Sequence, residues 1–98
     1  MTIEKHRDGS ALTLAPEGRL DTITSPELEK AFKESLDGVS ELTLDFEKLD
    51  YISSAGLRVL LTAQKTMNRQ GSMKIVHVCK TIMEIFEVTG FLDILTIE

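Results

Sequence analysis

A length of 98 residues falls within the usual range for one domain and leaves little room for a second, so 1–98 reads as a single domain; 42% hydrophobic and 28% charged residues is a globular balance, not a disordered one. The net charge of −5 argues against nucleic acid as a partner, because duplex binding needs clustered Lys and Arg and the 11 basic residues here are scattered. No apolar run approaches the roughly 18 residues of a membrane span, and Met1-Thr2-Ile3-Glu4-Lys5 lacks the apolar core of a signal peptide, so no membrane insertion is expected and the protein is expected to stay in the cytoplasm.

In chain order, Thr2 to Asp8 and Ala11 to Ala15 carry Ile3, Leu12 and Leu14 in near-alternation around Asp8-Gly9-Ser10, which predicts a hairpin of two short strands. Pro16 is expected to end the second. Thr24-Ser25-Pro26-Glu27 has the T-x-x-E spacing of a capping box, in which hydroxyl and carboxylate each accept an orphan N–H; alternatively Ser25 is the cap, with Pro26 at the first helical position. Either way a helix begins there, with Leu28, Ala31, Phe32 and Leu36 on one stripe and Gly38 past its end. Glu41 to Phe46 alternates Leu42, Leu44 and Phe46 with Thr43 and Asp45, predicting a strand with only one face well covered.

Leu49 to Ile52 is a further strand-like run, and it meets an apolar helical run. The second helix is expected from about Ala55 to Arg69, with Leu57, Leu60, Leu61 and Met67 as its apolar set, joined by Val59 and Ala63. It stops near Gly71, a residue that tolerates the left-handed conformation of many helix ends. Met73 to Val78 reads as a strand reached through a helix, which favours a parallel connection. Thr81 opens a third helix with Ile82, Ile85 and Phe86 buried, and the apolar tail after Gly90 is able to end in a short strand. The fold class is therefore α/β: one mixed four- to five-stranded sheet with three to four helices packed against it.

The chain holds little that announces catalysis. Neither G-x-x-x-x-G-K-[ST] nor G-x-G-x-x-G occurs, there is no G-x-S-x-G elbow, and Asp21, Asp45 and Asp50 have ordinary work available as caps and turn formers, so no enzyme is expected. Cys79 stands alone after Ile75-Val76-His77-Val78 and reads as a small buried hydrophobe in a reducing compartment. His6 and His77 lie far apart and belong to no spaced ligand set, so no metal or other cofactor is expected.

The chemistry-bearing stretch is Ser53-Ser54-Ala55-Gly56-Leu57, where strand-like sequence turns into helix. A serine capping that helix faces backbone N–H donors and the positive end of the peptide dipoles, a natural seat for phosphate. Ser54 and Ser53 serve equally as the cap, and spacing alone does not separate an ordinary cap from a phosphate site.

Tyr51-Ile52-Ser53-Ser54-Ala55-Gly56-Leu57 resembles the phosphorylation segment of the STAS domain, as found in bacterial anti-sigma factor antagonists, whose pattern is approximately Asp-Ser-[Ser/Ala]-Gly-[Leu/Ile/Val]. Gly18-Arg19-Leu20-Asp21 with Thr24 and Leu28 is similar to the Gly-x-Leu-Asp-x-x-Thr segment that leads into that family's first helix. The element string matches that fold over essentially the whole chain. The resemblance implies a partner-switching regulator: the unmodified form binds an anti-sigma factor that is also a serine kinase, freeing a sigma factor. Phosphorylation of Ser54 ends that binding, and a phosphatase restores it. It assigns Asp21, Ser53, Gly56, Leu57 and Arg58 to the partner surface around Ser54. Ser53 departs from the pattern, standing where signalling members commonly carry aspartate, and this leaves two adjacent hydroxyls. A phosphate-independent alternative is a STAS subunit that binds the ATPase of a lipid-transporting ABC transporter.

Overall fold

Five strands and three helices form in the computed structural model, which describes residues 1–98: β1 (Thr2–Asp8), β2 (Ala11–Leu20), α1 (Ser25–Ser35), β3 (Glu41–Asp45), β4 (Leu49–Ile52), α2 (Ser54–Gln70), β5 (Ser72–Val76) and α3 (Lys80–Thr89), followed by a 3-10 turn at Phe91–Asp93. β1 runs antiparallel to β2, while β2, β3 and β5 lie side by side in parallel, with Leu14 opposite Leu44 and Leu44 opposite Ile75. β4 resumes the pairing along β2 where β3 leaves off, and the register shifts between Gly18 and Arg19, as a bulge requires.

Alternation along the strands sets what is inside. Leu12, Leu14, Leu42, Leu44, Met73 and Ile75 point to one face and are buried, whereas Thr13, Thr43 and Lys74 between them are half-buried or exposed. Leu28, Ala31 and Phe32 of α1, Leu57, Leu60, Ala63 and Met67 of α2, and Ile82 and Phe86 of α3 bury against the same face, making one core. Ile85 and Cys79 pack at its edge, partly buried, and Leu61 is half-exposed. Gln70 staples the two long helices at their C-terminal ends, its side-chain nitrogen donating to the carbonyls of Leu36 at 2.7 Å and Val39 at 2.6 Å.

Several boundaries differ from the sequence reading, each for a physical reason. Pro16 does not end β2, which runs on to Leu20. Counting by alternation from the hairpin pair Asp8 and Ala11, the pair Ile3 and Pro16 falls at a position where the strands exchange no hydrogen bonds. On its other side Pro16 lies between the β3 and β4 pairings, so its missing N–H costs the sheet nothing. The strand after α2 is Ser72–Val76 and not Met73 to Val78, because His77 takes φ of 58° and turns the chain out of the sheet. The third helix starts at Lys80, one residue earlier than expected. The tail adds no named strand; it makes the 3-10 turn and a single bridge from Ile97 to Ile75. Gly71 is not left-handed: its φ of 172° is ordinary extended backbone. Glycine is needed there because a Cβ would run into the carbonyl group of Ser40.

Candidate functional site

Leu20 of β2 pairs with Ile52 of β4, so the two chains leave these parallel strands side by side. One continues into the loop Asp21–Thr24 ahead of α1, the other into Ser53 and α2. The N–H of Ser53 donates to the carbonyl of Leu20 at 2.8 Å and fixes the two exits together. That pairing brings Asp21 beside the serine stretch, a juxtaposition of residues more than thirty positions apart in sequence.

The Asp21 loop is tied by its own carboxylate. Oδ1 accepts the backbone N–H of Ile23 and of Thr24, each at 3.0 Å, while the Thr24 hydroxyl accepts the Asp21 N–H at 2.9 Å and donates to the carbonyl of Arg19 at 2.6 Å. The N–H of Thr24 above all, helped by that of Ile23 and by the Thr24 hydroxyl, holds the Asp21 carboxyl below the usual carboxylate range, against an opposing effect of burial that is outweighed by the Thr24 N–H. The capping box expected from Thr24 and Glu27 does not form, and Ser25 is not the cap either. Thr24 occupies the cap position but its hydroxyl makes no bond to the helix, Ser25 is the first helical residue with its hydroxyl buried and unpaired, and Pro26 follows it. The short Asp21 side chain instead takes the loop donors two and three residues on, and backbone carbonyls take those of the first turn, the Ser25 N–H donating to Asp21 O at 2.8 Å and the Glu27 N–H to Thr24 O at 2.9 Å.

At α2 the two serines are separated by orientation. Ser53 is the cap residue, in extended conformation with φ of −99° and ψ of 177°, but its hydroxyl makes no cap bond; it is turned inward, buried and unpaired. Ser54 is the first residue of the helix and is exposed. Neither serine therefore caps α2 by its side chain. The carbonyl of Ser53 accepts the N–H of Leu57 at 2.9 Å, which leaves the N–H groups of Ser54, Ala55 and Gly56 without a partner in the chain. Those orphan donors and the aligned peptide dipoles put positive potential where the Ser54 hydroxyl stands.

Gly56 and Leu57, which the resemblance assigns to the partner surface, face inward. Gly56 is buried because α2 crosses the ends of β2 and β4 so closely that a Cβ would meet Ile52 Cγ1 at 2.7 Å and Leu20 Cγ at 2.8 Å. Leu57 is 6% exposed and belongs to the core. Both set the height of the helix, and thereby where Ser54 stands, and neither offers surface to a partner. Arg58 is exposed one turn after Ser54. It lines a shallow cleft with Thr22, Ser25, Glu29 and Ala55, at the meeting of the first turns of α1 and α2.

Two surface features here escape sequence reasoning. Ile23 is 83% exposed in the Asp21 loop, an apolar side chain with nothing of its own domain to cover it. An isoleucine between two polar turn residues carried that signal, but only the loop's path shows which way it faces. Arg19 lies over the Tyr51 ring, 4.3 Å from its centroid, across the β2–β4 pair.

The structure also assembles what the sequence kept apart. His77, read as belonging to no ligand set, places Nδ1 2.9 Å from Oδ1 of Asp45, and Glu47 joins them. The hydrogen bond with Asp45, and its charge, raise the imidazole above its ordinary value. For Asp45, burial pushes the carboxyl up, but the bonds from His77 and from the Glu47 N–H prevail and hold it below the ordinary value.

No helix is long and apolar enough to cross a membrane. The family model of the STAS domain matches residues 2–98. The anti-sigma-B factor antagonist of Staphylococcus aureus is 31% identical over 80 residues, covering 80% of this chain and 74% of that protein. Among solved structures, an anti-sigma factor antagonist from Mycobacterium paratuberculosis superposes with a TM-score of 0.88 at 18% identity, covering 98% of this chain and 83% of that one. The Bacillus cell fate determinant SpoIIAA in its phosphorylated form superposes with a TM-score of 0.76 at 14% identity, covering 99% and 91%. With its mixed sheet, its helices on one face and its serine at the start of α2, this chain belongs to the STAS domain family.

Proposed function

We propose that this protein is an anti-sigma factor antagonist that switches partners through phosphorylation of Ser54. The observation that carries the proposal is the division between the two serines: Ser54 stands exposed on the first turn of α2 beside unpaired N–H donors, while the Ser53 hydroxyl is turned into the protein. A kinase reaches the first and not the second. The names of its relatives support the regulatory class, and SpoIIAA is a member of the fold that exists in a phosphorylated form.

In this reading the unmodified protein docks its partner, an anti-sigma factor with serine kinase activity, through Asp21, Ile23, Ser54 and Arg58. Gly56 and Leu57 hold that surface from beneath. The protein's own part in the switch is to accept the phosphate without refolding. A phosphoserine brings about −1.5 to −2 charge, which the helix N-terminus tolerates. Within a partner interface the same group must shed water, at a cost of about 1.4 kcal/mol for every tenfold of affinity lost. The domain thus acts as a binding module, with the phosphoryl chemistry supplied by the kinase and reversed by a phosphatase.

The test is incubation with the cognate kinase-type anti-sigma factor and ATP, read by intact mass. Wild type and Ser53→Ala gain one phosphate, Ser54→Ala gains none and keeps its fold, and Ser54→Asp binds the partner more weakly. Undiminished incorporation into Ser54→Ala refutes the site. Stable co-purification with a transporter ATPase, indifferent to Ser54→Asp, would favour the phosphate-independent class instead.

A further inference from the structure

Away from Ser54, three segments converge on one spot at the edge of the sheet. Asp45 is the last residue of β3, Glu47 lies two residues on in the turn to β4, and His77 is the first residue after β5. The parallel register sets Asp45 opposite Val76, and the N–H of Phe46 donates to the carbonyl of Val76 at 3.0 Å, so the exits of β3 and β5 are fixed against each other. The φ of 58° at His77 then swings its imidazole back over the end of β3. One ligand atom from each of the three side chains lies within 4.8 Å of the others.

We propose that Asp45, Glu47 and His77 form a binding site for a divalent transition-metal ion of the zinc class. The Asp45 Oδ1 and His77 Nδ1 atoms, 2.9 Å apart, already stand near the separation that two ligands adopt on one tetrahedral ion, about 3.3 Å for bonds of about 2.0 Å. A metal takes the place of the proton they share, with adjustments of a few tenths of an ångström. Glu47 is exposed and free to close on the ion as third ligand, and water completes the coordination. An imidazole with two carboxylates suits zinc, cobalt or nickel; magnesium and calcium favour sites made of oxygen alone. The surroundings also favour a cation: the adjoining cleft is lined by Glu4, Glu17, Asp45 and Glu47, with Lys48 the one positive side chain among them and already paired to Glu17 at 3.1 Å. The bound ion clamps the end of β3 to the end of β5.

The proposal does not depend on Ser54 or on any partner, and zinc chloride alone is the probe. Titration of the whole chain by calorimetry, together with two-dimensional NMR, is expected to show one ion per chain with shifts centred on residues 45, 47 and 77. Magnesium at the same concentration is expected to shift none of them. His77→Asn keeps a residue that tolerates left-handed backbone and is expected to weaken zinc at least about tenfold, with Glu47→Gln also weakening it. His6→Ala and Cys79→Ser are expected to leave it unchanged. Absence of saturable zinc binding, shifts centred on His6 or Cys79, or undiminished affinity in His77→Asn overturns the site. The shift map on the wild type decides the matter even where a variant folds poorly.

Discussion

Replacing Gly56 by alanine tests whether the helix that presents Ser54 is seated by direct contact of its backbone with the strands below. The added Cβ would lie 2.7 Å from Ile52 Cγ1, 2.8 Å from Leu20 Cγ and 3.0 Å from Leu20 Cδ2. Ordinary carbon contacts are about 3.5–4.0 Å, so something must yield by close to an ångström. Neither neighbour has room: Leu20 is 0% and Ile52 1% exposed, and the two nearest atoms, Ile52 Cγ1 and Leu20 Cγ, are inner side-chain carbons close to the backbone. Overpacking of this kind costs typically about 1–3 kcal/mol, and rigid surroundings place it near the upper figure. Against that, alanine in a helix is better than glycine by about 1 kcal/mol. The net expectation is a loss of about 2 kcal/mol, which lowers the melting temperature of a domain this size by about 8–16 °C. Circular dichroism melts and urea unfolding of Gly56→Ala measure it directly. A double-mutant cycle with Leu20→Ala, which removes two of the three struck carbons and opens room for Ile52 to shift, is expected to show a coupling of about 1 kcal/mol or more in the compensating direction. An alanine variant as stable as wild type, or more stable, would show that glycine propensity and not close approach governs this position, and the account of how Ser54 is placed would fall.

Three further perturbations probe the same region and its supports. Ser53→Ala should change stability by no more than about 0.5 kcal/mol in urea unfolding, because its hydroxyl makes no cap bond to lose; a loss of about 1 kcal/mol or more would mean that it caps α2 in solution. Gly71→Ala should cost at least about 3 kcal/mol, seen as a collapse of the melting temperature or failure to fold. The Ser40 carbonyl it would strike is held in place by the Ser72 N–H at 2.9 Å, and tolerance of the alanine would refute the close approach. Asp21→Ala should destabilise the protein at neutral pH, and Asp21→Asn, which keeps an acceptor oxygen, should do so less. Because the folded carboxyl titrates below its ordinary value of 3.8, its contribution is present above that pH and is lost as pH falls further. The gap between wild type and Asp21→Ala should therefore close in acid; a gap that widens there, or is constant from neutral pH to below 3, would remove the carboxylate from its role.

What the sequence determined alone is whatever depends on near neighbours along the chain. The stripe Leu28, Ala31, Phe32 and Leu36 and the alternation of Leu42 and Leu44 carry the periods of a helix and of a strand, and all six are buried as those periods require. The two motifs around Asp21 and Ser54, with that element order, were enough to name the family. Tertiary structure decided everything that needed a distant partner. Two adjacent serines are chemically alike in one dimension, and only the crossing of α2 over β2 and β4 turns Ser53 inward and Ser54 out. Pro16 stays within its strand because both neighbouring pairings leave its missing donor unasked for, and Gly71 is demanded by the carbonyl of Ser40, thirty-one positions away. Asp45 and His77, 32 residues apart, meet because parallel strands β3 and β5 end together. Local periodicity is written into the chain by the geometry of one helix turn or one pleat, whereas which side chains face each other at strand ends depends on register and crossing, quantities that exist only once the sheet has formed.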